Sequence, residues 1–232
     1  MYAIRKAEDR GFADHGWLKA RHSFSFASYY DPNFMGYKSL RVINEDRVAS
    51  GMGFPTHGHK DMEIITYVIE GALEHKDSMG TGSVIHPGEI QYMSAGTGVQ
   101  HSEYNPSNKD PLHLLQIWIM PNEKSAQPRY GQKKYPREQK LNKLCLVVSN
   151  EGDSDSIAIR QDARIYASVL EQNKSITHRI ESGRGVWLQL IKGQVSVAGQ
   201  NLKAGDAIAM EQEPEINISA TTESEFLLFD LA

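Results

Sequence analysis

Gly51-Met52-Gly53-Phe54-Pro55-Thr56-His57-Gly58-His59-Lys60-Asp61-Met62-Glu63 runs directly into Ile64-Ile65-Thr66-Tyr67-Val68-Ile69-Glu70-Gly71. The second part is rich in β-branched and aromatic residues and stops at a glycine, as a strand closed by a turn does. The first part carries two histidines one residue apart. In an extended chain, residues i and i+2 point to the same side, which puts His57, His59 and Glu63 on one face. Further on, Gly96-Thr97-Gly98-Val99-Gln100-His101-Ser102-Glu103 places His101 and Glu103 at the same spacing. Two such strands side by side gather imidazoles and carboxylates around one point.

Outward from these stretches the texture is the same. Leu40-Arg41-Val42-Ile43 and Leu114-Leu115-Gln116-Ile117-Trp118-Ile119 read as strands. Turns are marked at Gly71, Gly80-Thr81-Gly82, Pro87-Gly88 and Gly96-Thr97-Gly98. No long segment keeps a 3.6-residue apolar period. An all-β protein of many short strands is expected, as a sandwich or barrel. The texture breaks between Pro121 and Lys143, which hold three prolines and few aliphatics. A metal-binding domain over 1–125, a linker over 126–143 and a second domain over 144–232 are therefore expected. The basic residues around the linker (Lys124, Arg129, Lys133, Lys134, Arg137, Lys140, Lys143) read as solvated surface.

Strand signals resume at 144–148, 186–191, 207–210 and 226–229. They carry a faint repeat. Tyr67-Val68-Ile69-Glu70-Gly71, followed by Pro87-Gly88-Glu89, is echoed by Gln189-Leu190-Ile191-Lys192-Gly193, followed by Ala204-Gly205-Asp206. His101 follows Gly88 at the spacing by which Ile218 follows Gly205. The second copy is thus apolar where the first is polar.

The chain has 232 residues, with 25 Lys and Arg against 29 Asp and Glu, a net charge of −4. That balance lacks the positive surplus of a nucleic-acid grip, so no direct nucleic-acid contact is expected. No run approaches the ~18 apolar residues of a membrane span, and the first ten residues hold no signal-like apolar stretch. The single cysteine, Cys145, excludes an internal disulfide and, flanked by leucines, is expected to be a buried thiol. These features fit a cytoplasmic protein.

Inward-facing imidazoles and carboxylates are costly. An unpartnered buried polar group costs roughly 2–7 kcal/mol, against a net domain stability of only about 5–15 kcal/mol. A divalent cation satisfies both kinds of group at once. The expected ligands are His57, His59, His101 and Glu103. Glu63 is held in reserve as a fifth ligand or an acceptor that orients a ring N–H, and Asp61 has the parity for that outer role. Mixed imidazole and carboxylate donors suit iron, zinc, copper or nickel. The lack of cysteine argues against a structural zinc. Among the remaining histidines, His113 on an apolar strand reads as a satisfied core residue. His75 and His86, by turns, read as surface, and His15, His22 and His178 show no partner pattern. Phe54 and Met93 read as core packing, with Gln116 also near the motifs. Phe24 and Phe26 read as alternate positions of a strand.

The spacing Gly51, His57, His59, Glu63 resembles the first cupin motif, and Gly88, His101 and Asn105 fit the outline of the second. Ala95-Gly96-Thr97-Gly98-Val99-Gln100-His101-Ser102-Glu103 is more closely similar to the pirin family, as are His22-Ser23-Phe24-Ser25-Phe26, Leu40-Arg41-Val42-Ile43-Asn44 and Leu112-His113-Leu114-Leu115-Gln116-Ile117-Trp118. The resemblance is specific across the N-terminal half and architectural beyond it. Gly58 departs from it, standing where the family commonly has proline, which implies a looser histidine pair. The resemblance implies a bicupin of two stacked β-barrels with metal only in the first. It also implies mononuclear Fe(II) held by residues that map onto His57, His59, His101 and Glu103. Bacterial relatives are similar to dioxygenases that open quercetin. This implies a flavonol-like substrate, dioxygen and release of carbon monoxide; Glu103, or Glu63 nearby, is the expected catalytic base. Eukaryotic pirins imply an alternative: an iron-dependent redox-sensing binding protein or transcription co-regulator, with a protein partner and no turnover.

Overall fold

The apolar runs read as strands become the middle of a sheet. In the computed structural model, which describes residues 1–232, Glu63–Glu70, Leu112–Ile119 and Leu40–Val48 lie side by side in that order. Glu63–Glu70 is buried at every position but its last, which is why its sequence runs apolar instead of alternating. Glu89–Ser94 and Arg129–Lys134 extend the sheet on one side, Leu18–His22 and Gly11–Asp14 on the other. A second sheet holds four strands in the order Gly53–His59, Val99–Tyr104, Leu73–Asp77, Gly82–Ile85. Leu18, Val48, Val68 and Leu114 of the first sheet pack against Leu73 and Ile85 of the second. Each such buried side chain contributes about 1.5–3 kcal/mol.

The repeat seen faintly in sequence is a full topological repeat. The other unit has a seven-stranded sheet ordered Tyr2–Arg5, Ala207–Glu211, Gly185–Lys192, Ser224–Leu231, Ala163–Leu170, Cys145–Ser149, Ile157–Ala158. Its four-stranded sheet runs Ser175–Arg179, Glu215–Ala220, Gln194–Val197, Gln200–Lys203. The order matches the first unit strand for strand, so the all-β two-barrel expectation holds. Ile218 sits opposite Ile176, as His101 sits opposite His57. Ile218 and Ala220 are buried in an apolar cluster with Leu188, Leu190 and Phe226. His178, the counterpart of His59, stays polar and donates Nε2–H to Asp230 Oδ2 at 2.7 Å, a partner invisible in sequence.

The expected domain boundaries are revised. One unit comprises 11–135 with 159–161, and the other 1–10, 136–158 and 162–232. Residues 126–143 are not a linker. Arg129–Lys134 pairs in register with Glu89–Ser94, and Pro128 and Pro136 frame that strand without interrupting its hydrogen bonds. Nor are all its cations solvated. Arg129 lies over the Tyr92 ring and donates Nε–H to its hydroxyl, while Lys140 is buried beside Glu225. At the N-terminus, Tyr2–Arg5 pairs with Ala207–Glu211 of the second unit. Cys145 is only partly buried. The chain leaves the strand after His22, so Phe24 and Phe26 are not alternate strand positions. Phe24 is in the core, and Phe26 bridges to Tyr29 across a tight turn at Ala27, φ +50°. No helix of the structure is long and apolar enough to cross a membrane.

Candidate metal centre

Val99–Tyr104 alternates between the two faces of its sheet, with Val99, His101 and Glu103 buried and Gln100 and Tyr104 exposed. It pairs antiparallel with Gly53–His59, so that His101 faces His57 and Val99 faces His59. Between His101 and Glu103 the register shifts: Pro55 and Thr56 together oppose Ser102. Proline, which has no N–H to donate, suits such a bulge. Gly53 lies beneath Glu103, where any side chain would run into the Glu103 carbonyl. Gly58 stands opposite Gln100 in the ladder. Strand pairing therefore holds the histidine pair where proline would otherwise stiffen it.

The rings of His57, His59 and His101 stand 4.4–4.8 Å apart, centroid to centroid. Their ring nitrogens lie within 4.8 Å of one another, a group that can hold a metal ion. The surrounding hydrogen bonds set the tautomers. His57 Nδ1–H donates to the Pro55 carbonyl at 2.8 Å, leaving Nε2 as a lone pair. His75 Nε2–H donates to Asp77 Oδ2 at 2.9 Å. Asp77 Oδ1 accepts from the amides of Met79 and Thr81. With its Nε2 proton on Asp77, a neutral His75 ring would present an Nδ1 lone pair to His101 Nδ1 at 3.4 Å, and the His101 proton would then belong there. What remains is His57 Nε2 and His101 Nε2, 3.0 Å apart; with both rings neutral, each presents a lone pair to the other. Two lone pairs repel, whereas a cation between them is bound by both.

Protonation of His59 or His101 is disfavoured. Burial, then the neighbouring His57, lowers His59 to about 4. Burial, then His57, His59 and His75, lowers His101 to about 2. Both rings thus stay neutral and ligand-competent well below pH 7. In the metal-free protein, long-range ¹⁵N–¹H spectra at about pH 5.5, a unit below the ordinary histidine value, should show His59 and His101 uncharged. His101 should carry its proton on Nδ1. A protonated His101 at that pH would contradict the relay from Asp77.

Glu103 lies on the same wall and, with His75 and His101, forms an overlapping metal-competent group. Its Oε2 accepts from Gln116 Nε2 at 3.0 Å, while Oε1 is buried with no partner. Burial raises its carboxyl to about 7, only partly opposed by Gln116. A cavity of about 380 Å³ opens onto these groups, lined by His57, His59 and Glu103 and walled by Phe26, Phe54 and Trp118. Gln116 also lines it, and Phe54, read as core, does double duty by packing edge-on against Trp17.

Glu63 and Asp61 lie apart from the cluster. The chain turns after His59, with Asp61 at φ +49°, so strand parity does not carry through to Glu63. The Glu63 carboxylate accepts from the Tyr92 hydroxyl, from Ser94 Oγ at 2.6 Å and from the Arg160 amide at 2.9 Å. Asp61 accepts from the Ser125 amide. His75, read as surface, is fully buried and stacked on Tyr130. Its position in a Leu73–Asp77 strand of alternating burial was the signal available. His22 also lines the cavity and donates to Asn44. His86 is exposed and His113 is paired with Glu45, both as read.

Imidazole lone pairs converging beside an unpartnered carboxylate oxygen, with no thiolate near, fit a divalent transition metal. The comparisons with known proteins agree. Residues 4–119 match the family model for Pirin, and 146–231 match that for the quercetinase C-terminal cupin domain. The quercetin 2,3-dioxygenase of Escherichia coli K12 is 49% identical over 231 residues, covering 100% of this chain and 99% of that protein. A pirin-like protein of Caulobacter vibrioides is 42% identical, covering 98% of this chain and 99% of its own length. The crystal structure of the bacterial pirin YhhW from Escherichia coli in complex with nickel(II) superposes with a TM-score of 0.96 at 48% identity, covering 100% and 99% of the two chains.

Proposed function

Because the chain belongs to the pirin family, we propose that it is a metal-dependent dioxygenase that opens the ring of a flavonol such as quercetin, using dioxygen. The observation that carries the reading is a cavity that joins the imidazole cluster to an aromatic-walled space. At about 380 Å³ it falls within the ~300–1,000 Å³ of pockets that enclose small ligands. The relatives named quercetin 2,3-dioxygenase support the substrate class.

His57, His59 and His101 through Nε2, with Glu103 through Oε1, are the proposed ligands, and Fe(II) the proposed metal. Nickel, which the E. coli relative binds, suits the same donors. When bound, the metal supplies Lewis acidity that favours the enolate of the substrate and a redox centre for dioxygen chemistry. The protein does the rest. Phe26, Phe54 and Trp118 hold a flat ring system and exclude water. With Oε1 turned from the metal to the substrate, Glu103 would take the enolic proton there while Gln116 fixes Oε2. A cytoplasmic setting, where the single cysteine stays reduced, belongs to the same proposal. A redox sensor without turnover has no feature in its favour that a substrate cavity does not explain as well.

Aerobic incubation of the iron-loaded protein with quercetin is expected to bleach the visible absorption and release carbon monoxide. Intact quercetin in the presence of demonstrably bound metal would overturn the proposal.

A further inference from the structure

Asp46 is a carboxylic acid with nothing to hold. It lies on Leu40–Val48, 4% exposed, in the lining of the cavity. Its cross-strand neighbours are Ala20 and Leu114, which offer no side-chain hydrogen bond. The polar groups one row along are already engaged: His22 with Asn44, and Gln116 with Glu103 and Thr66. Glu45, next in sequence, turns to the opposite face and pairs with His113. Asp46 Oδ1 is left buried without a partner. Two further side-chain atoms in that state, Glu103 Oε1 and Trp118 Nε1, belong to residues lining the same cavity.

Such an atom costs stability and persists where a ligand satisfies it. Glu103 has a proposed role toward the metal; Asp46 has none. Resting on the flavonol reading, we propose that Asp46 is a specificity-determining residue: its carboxyl hydrogen-bonds a hydroxyl on an outer ring of the substrate, distinct from the enolic hydroxyl. A hydroxyl can donate to the carboxyl in either protonation state, so the pairing does not depend on how Asp46 titrates. A site built around such a group rejects an analogue that lacks the matching hydroxyl, because the carboxyl is then left unpaired.

The test compares quercetin, hydroxylated on both outer rings, with 3-hydroxyflavone, which has only the hydroxyl beside the ring carbonyl. Binding to iron-loaded protein is measured anaerobically by quenching of tryptophan fluorescence, and turnover is followed separately in air. The wild-type protein should bind quercetin more tightly. Asp46→Val should shrink that preference by about 10- to 100-fold, whereas Asp46→Asn, which still donates and accepts, should keep most of it. Asp46→Val should also melt a few degrees higher, about 2–4 °C, since it removes an unsatisfied buried group; a merely structural Asp46 would give a lower melting temperature. The inference is overturned if the wild type shows no preference, if Asp46→Val weakens both ligands equally, or if it lowers the melting temperature. If quercetin survives in air, the dioxygenase reading fails, while the binding ratio still decides the role of Asp46.

Discussion

His101→Ala is expected to empty the metal centre. His101 is the ring shared by both metal-competent groups, with Nε2 toward His57 and Nδ1 toward His75. Loss of an outer-shell partner of a metal ligand costs 10- to 100-fold in affinity, so loss of this ring should cost more than about 100-fold and abolish quercetin turnover. Metal analysis of protein prepared without added metal reads the effect directly. Thermal melting reads it independently. Metal at 100 times its dissociation constant stabilises the wild type by about 2.7 kcal/mol, which for a chain of this size is roughly 5–10 °C. The variant should show no such rise. His75→Phe is the graded companion: it keeps a ring to stack on Tyr130 but removes the acceptor that fixes the His101 tautomer. It should fall within the 10- to 100-fold range. Stoichiometric iron in His101→Ala would move the centre elsewhere.

Glu103→Gln is expected to separate holding the metal from moving the proton. The amide is nearly isosteric with the acid, and its oxygen can still accept from Gln116. It cannot take a proton at neutral pH. With metal supplied in excess and its occupancy measured, kcat should fall by about 10²–10⁴-fold, the usual contribution of a positioned general base. KM should change far less, because the aromatic walls are untouched. Retained metal together with a wild-type kcat would assign proton transfer to another group. Loss of metal alone, with activity restored at high metal concentration, would leave Glu103 as a ligand and nothing more.

Much of this was legible in the chain because strands have a period of two. Val99, His101 and Glu103 alternate with polar neighbours, and the structure buries them on one side of their strand. His57 and His59 share a face for the same reason. Strand parity holds within a strand and is lost across a turn. Glu63, four residues past His59, belongs to a different sheet, where Tyr92, Ser94 and Arg160 satisfy it. The stretch around Arg129–Lys134 failed as a linker because its polar composition suits an edge strand as well as a connection.

The sequence by itself determined the strand texture, the repeat with its apolar second copy, and the histidines and carboxylate that share a face. These follow from side-chain chemistry at short spacing, which backbone geometry converts into position without help from the rest of the chain. Only the tertiary structure decided that His75 and Asp77 stand behind His101, that Glu63 is engaged elsewhere, and that Asp46 faces the cavity alone. Those facts depend on which strand lies beside which and in what register, and that is set by the packing of two whole sheets, not by any local run of residues.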